Sequence, residues 1–124
     1  MENMSWATSE HLKYEIEHHP KYTQYMSWKN KYPHVLKQFK NLSLKLMERK
    51  RMFGMWLVAN RIRWDYAFDY DTDFKITNDY TALITRELMI EIPELKKYCR
   101  IKKIYEPRKE VRGQYDFYKT QRQD

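Results

Sequence analysis

Apolar residues recur along most of this chain at steps of three and four, the spacing of helix faces turned toward a core. The clearest run follows Pro33. Val35, Phe39, Leu42 and Leu46 share one side, while Lys37, Lys40, Lys45 and Glu48 point elsewhere. Pro33 suits the first helical position, where its missing N–H costs nothing. Arg49-Lys50-Arg51 suit the far end, where cations meet unpaired carbonyls. Gly54 separates this helix from a second, in which Met55, Val58, Ala59, Ile62 and Tyr66 form a stripe and Asn60, Arg61 and Arg63 face solvent or a partner. Trp56 and Trp64 lie off that stripe, so at least one of them is expected at a surface or against a second subunit.

A third helix is predicted to start at a cap residue, Asn78 or Asp79, and to run through Tyr80, Leu83, Ile84 and Leu88 to Ile92, where Pro93 stops it. Its other side collects Asn78, Thr81, Ala82, Thr85 and Arg86. Just before it, Phe74-Lys75-Ile76-Thr77 has the alternation of a short strand. After a helical turn over Glu94–Tyr98, the segment Arg100–Tyr105 is the expected pairing partner, giving a small hairpin or wing. Toward the N-terminus, Trp6, Leu12 and Ile16 predict a weak helix ending at His18-His19-Pro20, and Tyr22, Tyr25, Met26 and Lys29 predict two further turns. Beyond Pro107 the chain is charged and poor in aliphatic residues, a loose basic tail that Tyr115, Phe117 and Tyr118 could anchor. The expectation is a mainly α, compact helical domain with a small two-stranded β element, winged-helix-like in outline. It divides into short helices packed on the core (1–32), the helical core with its hairpin (33–105) and the tail (106–124), all within one domain.

Composition narrows this picture. A chain of 124 residues with 42% apolar content supports one core rather than two. With two glycines and four prolines, long helices are favoured over a many-turned sandwich. The single cysteine, Cys99, permits no internal disulfide and no cysteine-rich zinc site, which fits a reducing compartment. Charged residues interrupt Met1–His19, so neither a signal peptide nor a membrane span is expected. Together these favour a cytoplasmic protein. The net charge is +7, and it is unevenly placed: residues 45–64 carry +5, residues 65–94 carry −6 and residues 95–124 carry +6. Two basic segments flanking an acidic middle favour an anionic partner.

Several short motifs occur in a familiar order: Pro33-His34-Val35, Ile62-Arg63-Trp64, an acidic stretch, Phe74-Lys75-Ile76 followed by Asn78, then Tyr80, Arg86 and Pro93-Glu94-Leu95. In this the chain resembles small uncharacterised proteins of bacteriophages and prophages, over roughly residues 33–105. Asp79 stands where those proteins tend to have a second Asn, and Tyr98-Cys99 where they tend to have Phe-Phe. The family brings no activity with it. The resemblance implies a viral or mobile-element origin, hence the host cytoplasm, and a role on nucleic acid or on host machinery that handles it.

The residues expected to contact phosphate are Lys45, Arg49, Lys50, Arg51, Arg61 and Arg63, with Lys102 and Lys103 in support. Asn78, Thr85 and Arg86 are the candidates for base readout, because a guanidinium can fork to guanine. The expected function is thus that of a small, basic, non-enzymatic nucleic-acid-binding protein, with DNA ahead of RNA and room for an oligomer. The alternative is an anti-defence inhibitor that blocks the nucleic-acid groove of a host nuclease or other effector, docked by Asp69, Asp71 and Asp73. Trp28, Trp56 and Trp64 could also stack on unpaired bases between cations, although aromatic residues at helical spacing are more often core.

Other chemistry finds little support. Asp69, Asp71 and Asp73 alternate like the first half of a calcium loop, but Phe74 stands where that loop needs Gly and Tyr80 where it needs Glu. His11, His18, His19 and His34 lack further ligands at metal spacing. Glu94-Leu95-Lys96, downstream of Asp79, faintly resembles nuclease carboxylates but has no supporting strand. Neither a Gly-rich phosphate loop nor a partner base for Cys99 is evident. No catalytic residue, metal or cofactor is expected.

Overall fold

The structure, a computed structural model, describes residues 4–69 and 74–103. In chain order these form α1 (Ser9–Glu17), α2 (Tyr22–Lys31), α3 (Pro33–Glu48), α4 (Met55–Asp69) and α5 (Asn78–Glu91), followed by a short 3-10 segment, Pro93–Lys97. Among the described residues none of the helices is long and apolar enough to cross a membrane.

The central element is α5, which packs against α1, α3, α4 and the 3-10 segment. Seven of its 14 residues are buried: Leu83, Ile84, Leu88 and Met89, and with them Thr81, Thr85 and Arg86. Most of the small polar side is therefore inside the molecule, with Asn78 exposed at its start. The two threonines are satisfied within the helix, Thr81 Oγ1 donating to the Thr77 carbonyl at 3.1 Å and Thr85 Oγ1 to the Thr81 carbonyl at 2.7 Å. The N-cap is Thr77, one residue ahead of Asn78 and two ahead of Asp79; its side chain accepts the Tyr80 N–H at 3.1 Å.

Arg86 is 2% exposed. Its Nε donates to Glu15 Oε1 at 2.7 Å, and its two terminal nitrogens donate to the carbonyls of Ala82 at 2.9 Å and Lys102 at 2.7 Å. Glu15 is fully buried on α1, and its Oε2 lies 3.0 Å from His11 Nε2. One guanidinium thus joins α1, α5 and the strand-like segment after the 3-10 turn. The inner stripe of α1 is His11, Leu12, Glu15 and Ile16, so half of the residues that make it a helix face are ionisable. Its apolar residues alone therefore understate the buried face of this helix.

The expected two-stranded element does not form among the described residues: neither Phe74–Thr77 nor Arg100–Lys103 is a strand. The alternation in the first segment is real, with Ile76 buried and Lys75 and Thr77 exposed. What differs is the hydrogen-bond partner. The Ile76 carbonyl accepts from Arg63 on α4, through both Nε and a terminal nitrogen, much as the Lys102 carbonyl accepts from Arg86. Phe74 stacks on Tyr66 at 4.2 Å and meets Tyr32 edge-on at 4.8 Å, in an aromatic cluster that also includes Trp28 and Tyr80. Arginine side chains supply what a ladder would have supplied.

α3 begins at Pro33 as expected, but its buried line is Val35, Phe39 and Ser43, with Leu42 and Leu46 only half-buried. Ser43 faces the start of α4, its Oγ 3.6 Å from Met55 Sδ. α2 is tied to α5 at Glu87, whose Oε2 accepts from Tyr25 at 2.7 Å and Lys29 at 2.8 Å.

Removing one partner of a buried ion pair strands the other charge. Glu15→Ala is expected to cost about 3–5 kcal/mol in urea unfolding, and a loss below about 1 kcal/mol would show that the pair does not organise the core. The apolar pair Glu15→Leu with Arg86→Met should cost less than the sum of its single replacements.

His19 provides a pH test. Burial lowers its pKa from the ordinary 6.5, Asp79 opposes this, and Arg86 and Lys21 add to it. Its Nδ1 also accepts the Lys21 N–H at 3.0 Å, which a protonated ring could not do. The unfolded chain therefore takes up this proton first. The contribution is complete above about pH 7 and is lost as pH falls through 6.5 toward the lowered folded value. Tm should fall between pH 7 and 5, less steeply in His19→Asn; identical slopes would remove His19 as the cause.

Candidate functional site

α4 is apolar on two sides. Met55, Val58, Ala59, Ile62 and Tyr66 form the buried side, as their spacing requires. The opposite side carries Trp56, Leu57, Asn60, Arg61 and Trp64, of which Trp56 is 64% and Trp64 66% exposed. Trp56, Asn60 and Trp64 recur at four-residue steps, and Leu57 and Arg61 lie beside them, so all five occupy one broad face. Leu44 on α3 and Met52 in the α3–α4 connection are also exposed. A helix that is hydrophobic around most of its circumference ordinarily has both sides covered. Here one side is turned to water.

The indole of Trp56 is held by the residue two before it. A Cβ placed on Gly54 would come within 2.6 Å of both Cδ1 and Nε1 of that ring. Gly54 does not have a positive φ, so glycine serves here to leave room. The ring rests over the backbone at the start of α4 while much of its surface stays open.

Cations gather in the turn that leads into α4. α3 ends in a Schellman turn: the Lys50 N–H donates to the Met47 carbonyl at 2.9 Å and the Arg51 N–H to the Leu46 carbonyl at 3.3 Å. Lys50 occupies the left-handed position at φ 58°, where glycine is usual. Lys45, Arg49, Lys50 and Arg51 are all exposed. Phe53 then ties the connection down, its N–H donating to the Tyr98 carbonyl at 2.9 Å. A run of three cations at a sharp helix end has its charges splayed outward, with a lysine in a backbone conformation that ordinarily disfavours a side chain.

The structure divides the residues expected to bind. Lys45, Arg49, Lys50 and Arg51 gather around the α3–α4 turn, and Arg61 stands on the outer face of α4, 3.6 Å from Asp65. Arg63 is committed to the Ile76 carbonyl and Asn60 Oδ1. Lys102 and Lys103 lie beside α1, where Lys103 Nζ sits 5.7 Å from the centre of the Trp6 ring. The base-readout trio is dispersed. Asn78 is exposed at the start of α5, whereas Thr85 and Arg86 are buried in the middle of it. Asp69 closes α4, its side chain lying outside the described residues together with Asp71 and Asp73. Sequence reasoning missed Leu44, Met52 and Leu57 as surface groups; the signal was the excess of apolar residues on α4 beyond one stripe.

Other reactive groups are quiet. Cys99 is buried, and burial pushes its thiol up to about 11, away from reactivity. His11 bonds Glu15, His18 stacks on Tyr14 at 4.1 Å, and His34 stacks on Tyr66 at 5.9 Å. Among the described residues no three of His, Cys, Asp and Glu gather closely enough to hold a metal ion. Comparison of the chain with protein-family models, with curated proteins and with solved structures finds no match.

Lys50→Gly should relieve the left-handed strain while removing a surface cation. The expected gain is about 1 kcal/mol in urea unfolding. A variant less stable than the parent would mean that the lysine side chain contributes more than its backbone costs.

Proposed function

We propose that this protein binds nucleic acid, without catalysing a reaction on it, through the outer face of α4 and the α3–α4 turn. One observation carries this reading: exposed indoles and an exposed cation share the outer face of α4, at Trp56, Trp64 and Arg61, and the exposed Arg49–Arg51 run lies in the turn that leads into this helix. Cations supply affinity for phosphate that is independent of sequence, and aromatic rings meet bases or sugars between them. With Arg86 and Thr85 buried, Asn78 alone of the base-readout candidates on α5 is exposed, which favours binding that is tolerant of sequence. The viral or mobile-element origin that the motif order implies is compatible with such a role.

A protein partner is the second reading, favoured by Leu44, Met52 and Leu57 on or near the same surface. Tryptophan and arginine set among aliphatic residues also make binding hot spots between proteins. An inhibitor of a host nuclease or other effector would use this face to cover the effector's nucleic-acid groove. It would bind naked nucleic acid weakly and form a stable complex with that one protein.

The discriminating experiment is a titration of labelled DNA and RNA at several salt concentrations. Replacing Arg49, Lys50 and Arg51 together by Ala should weaken all sequences alike and lower the slope of log K against log salt by about 2–3 units. An unchanged slope would make the run a solvated helix end. Absence of binding even at low salt would favour the protein partner.

A further inference from the structure

We infer that the nucleic acid taken by this surface is single-stranded, its bases stacking on Trp56 and Trp64 while Arg49–Arg51 and Arg61 hold its phosphates. This rests on the nucleic-acid reading above and specifies the ligand.

Duplex nucleic acid turns its phosphates outward and keeps its base faces stacked on one another. A basic patch suffices for it, and two exposed indoles would gain little. Unpaired bases present open π faces, and indoles bordered by cations are what such bases stack on. The two rings lie on one side of α4, eight residues apart, so the helix separates them by roughly 12 Å along its axis. At the ~3.4 Å rise of a stacked strand that is the span of three to four nucleotides.

Trp56 is also positioned before any ligand arrives. With its pyrrole edge over Gly54, the ring is held against backbone on one part of its surface while 64% of the residue stays exposed. Stacking then costs less side-chain entropy than it would on a free indole.

Charge argues against a second copy as occupant. A symmetric pairing of this face on itself would bring Arg61 and the Arg49–Arg51 run toward their own counterparts, with Asp65 as the nearby acid. A polyanion has no such penalty.

The test uses the full chain with fluorescein-labelled 12-mers of oligo-dT and oligo-U and a 12-base-pair DNA duplex, in one buffer, followed by anisotropy and by tryptophan quenching. The expected result is that one or both single strands bind more tightly than the duplex and quench tryptophan. Trp56→Ala and Trp64→Ala should each weaken single-strand binding roughly 5- to 150-fold, the equivalent of about 1–3 kcal/mol for each lost base stack. Both side chains are exposed, so circular dichroism should match the parent. Gly54→Ala, which keeps every charge and both indoles, should fall between the parent and Trp56→Ala. Duplex binding equal to or tighter than single-strand binding, with the Trp variants unaffected, overturns this inference and leaves the basic-surface reading standing. Absence of binding to all three probes overturns both. A stable dimer in sedimentation that Trp64→Ala dissociates assigns the face to a second copy and overturns the inference as well.

Discussion

The fold is organised around a charge that has no access to water. The Arg86 guanidinium sits in the middle of α5, and the molecule must supply an acceptor for each of its nitrogens. It does so with Glu15 from α1, with a carbonyl of its own helix and with the carbonyl of Lys102. Desolvating a charge is costly, and the cost is recovered only with good geometry and full pairing. Such an arrangement specifies more than it stabilises. Apolar side chains could pack α1 on α5 in several registers, but only one brings Glu15 to Arg86 while placing His11 against the second carboxylate oxygen.

That demand explains how the cations are divided. Arg63 and Arg86 turn inward and bond the carbonyls of two irregular segments, doing the work of a β ladder in a structure whose described residues contain no strand. Among the described residues Lys45, Arg49, Lys50, Arg51 and Arg61 are exposed, and Arg49–Arg51 stand together where α3 turns into α4. The net charge of the chain therefore overstates the number of cations available to a partner.

α4 connects the core to the surface. Its inner stripe packs on α3 and α5, its Arg63 fixes the Phe74–Thr77 segment, and its outer face holds two tryptophans beside cations. Gly54 at its start and the left-handed Lys50 just before it are local features that respectively position an aromatic ring and display a charge. Both lie at the surface proposed above to bind a partner.

Period and punctuation in the sequence determined the helices: Pro33 begins α3, Pro93 ends α5, and the Met55–Tyr66 stripe identifies the buried side of α4. These follow from local sterics and from the fixed geometry of a helix, so a single sequence displays them. The fate of polar side chains was decided only by tertiary structure. Nothing local distinguishes Arg86, buried against a carboxylate 71 residues away, from Arg61, exposed on α4. The alternation of Phe74–Thr77 marked Ile76 as the inward residue but predicted a strand that does not form, because whether a strand or an arginine satisfies its carbonyls depends on what lies beside it in space. In the same way, the sequence placed Trp56 and Trp64 off the core stripe, and only the folded chain decided that both remain largely exposed. Helix propensity acts over a few residues, whereas burial and ion pairing are settled by neighbours that only the folded chain brings together.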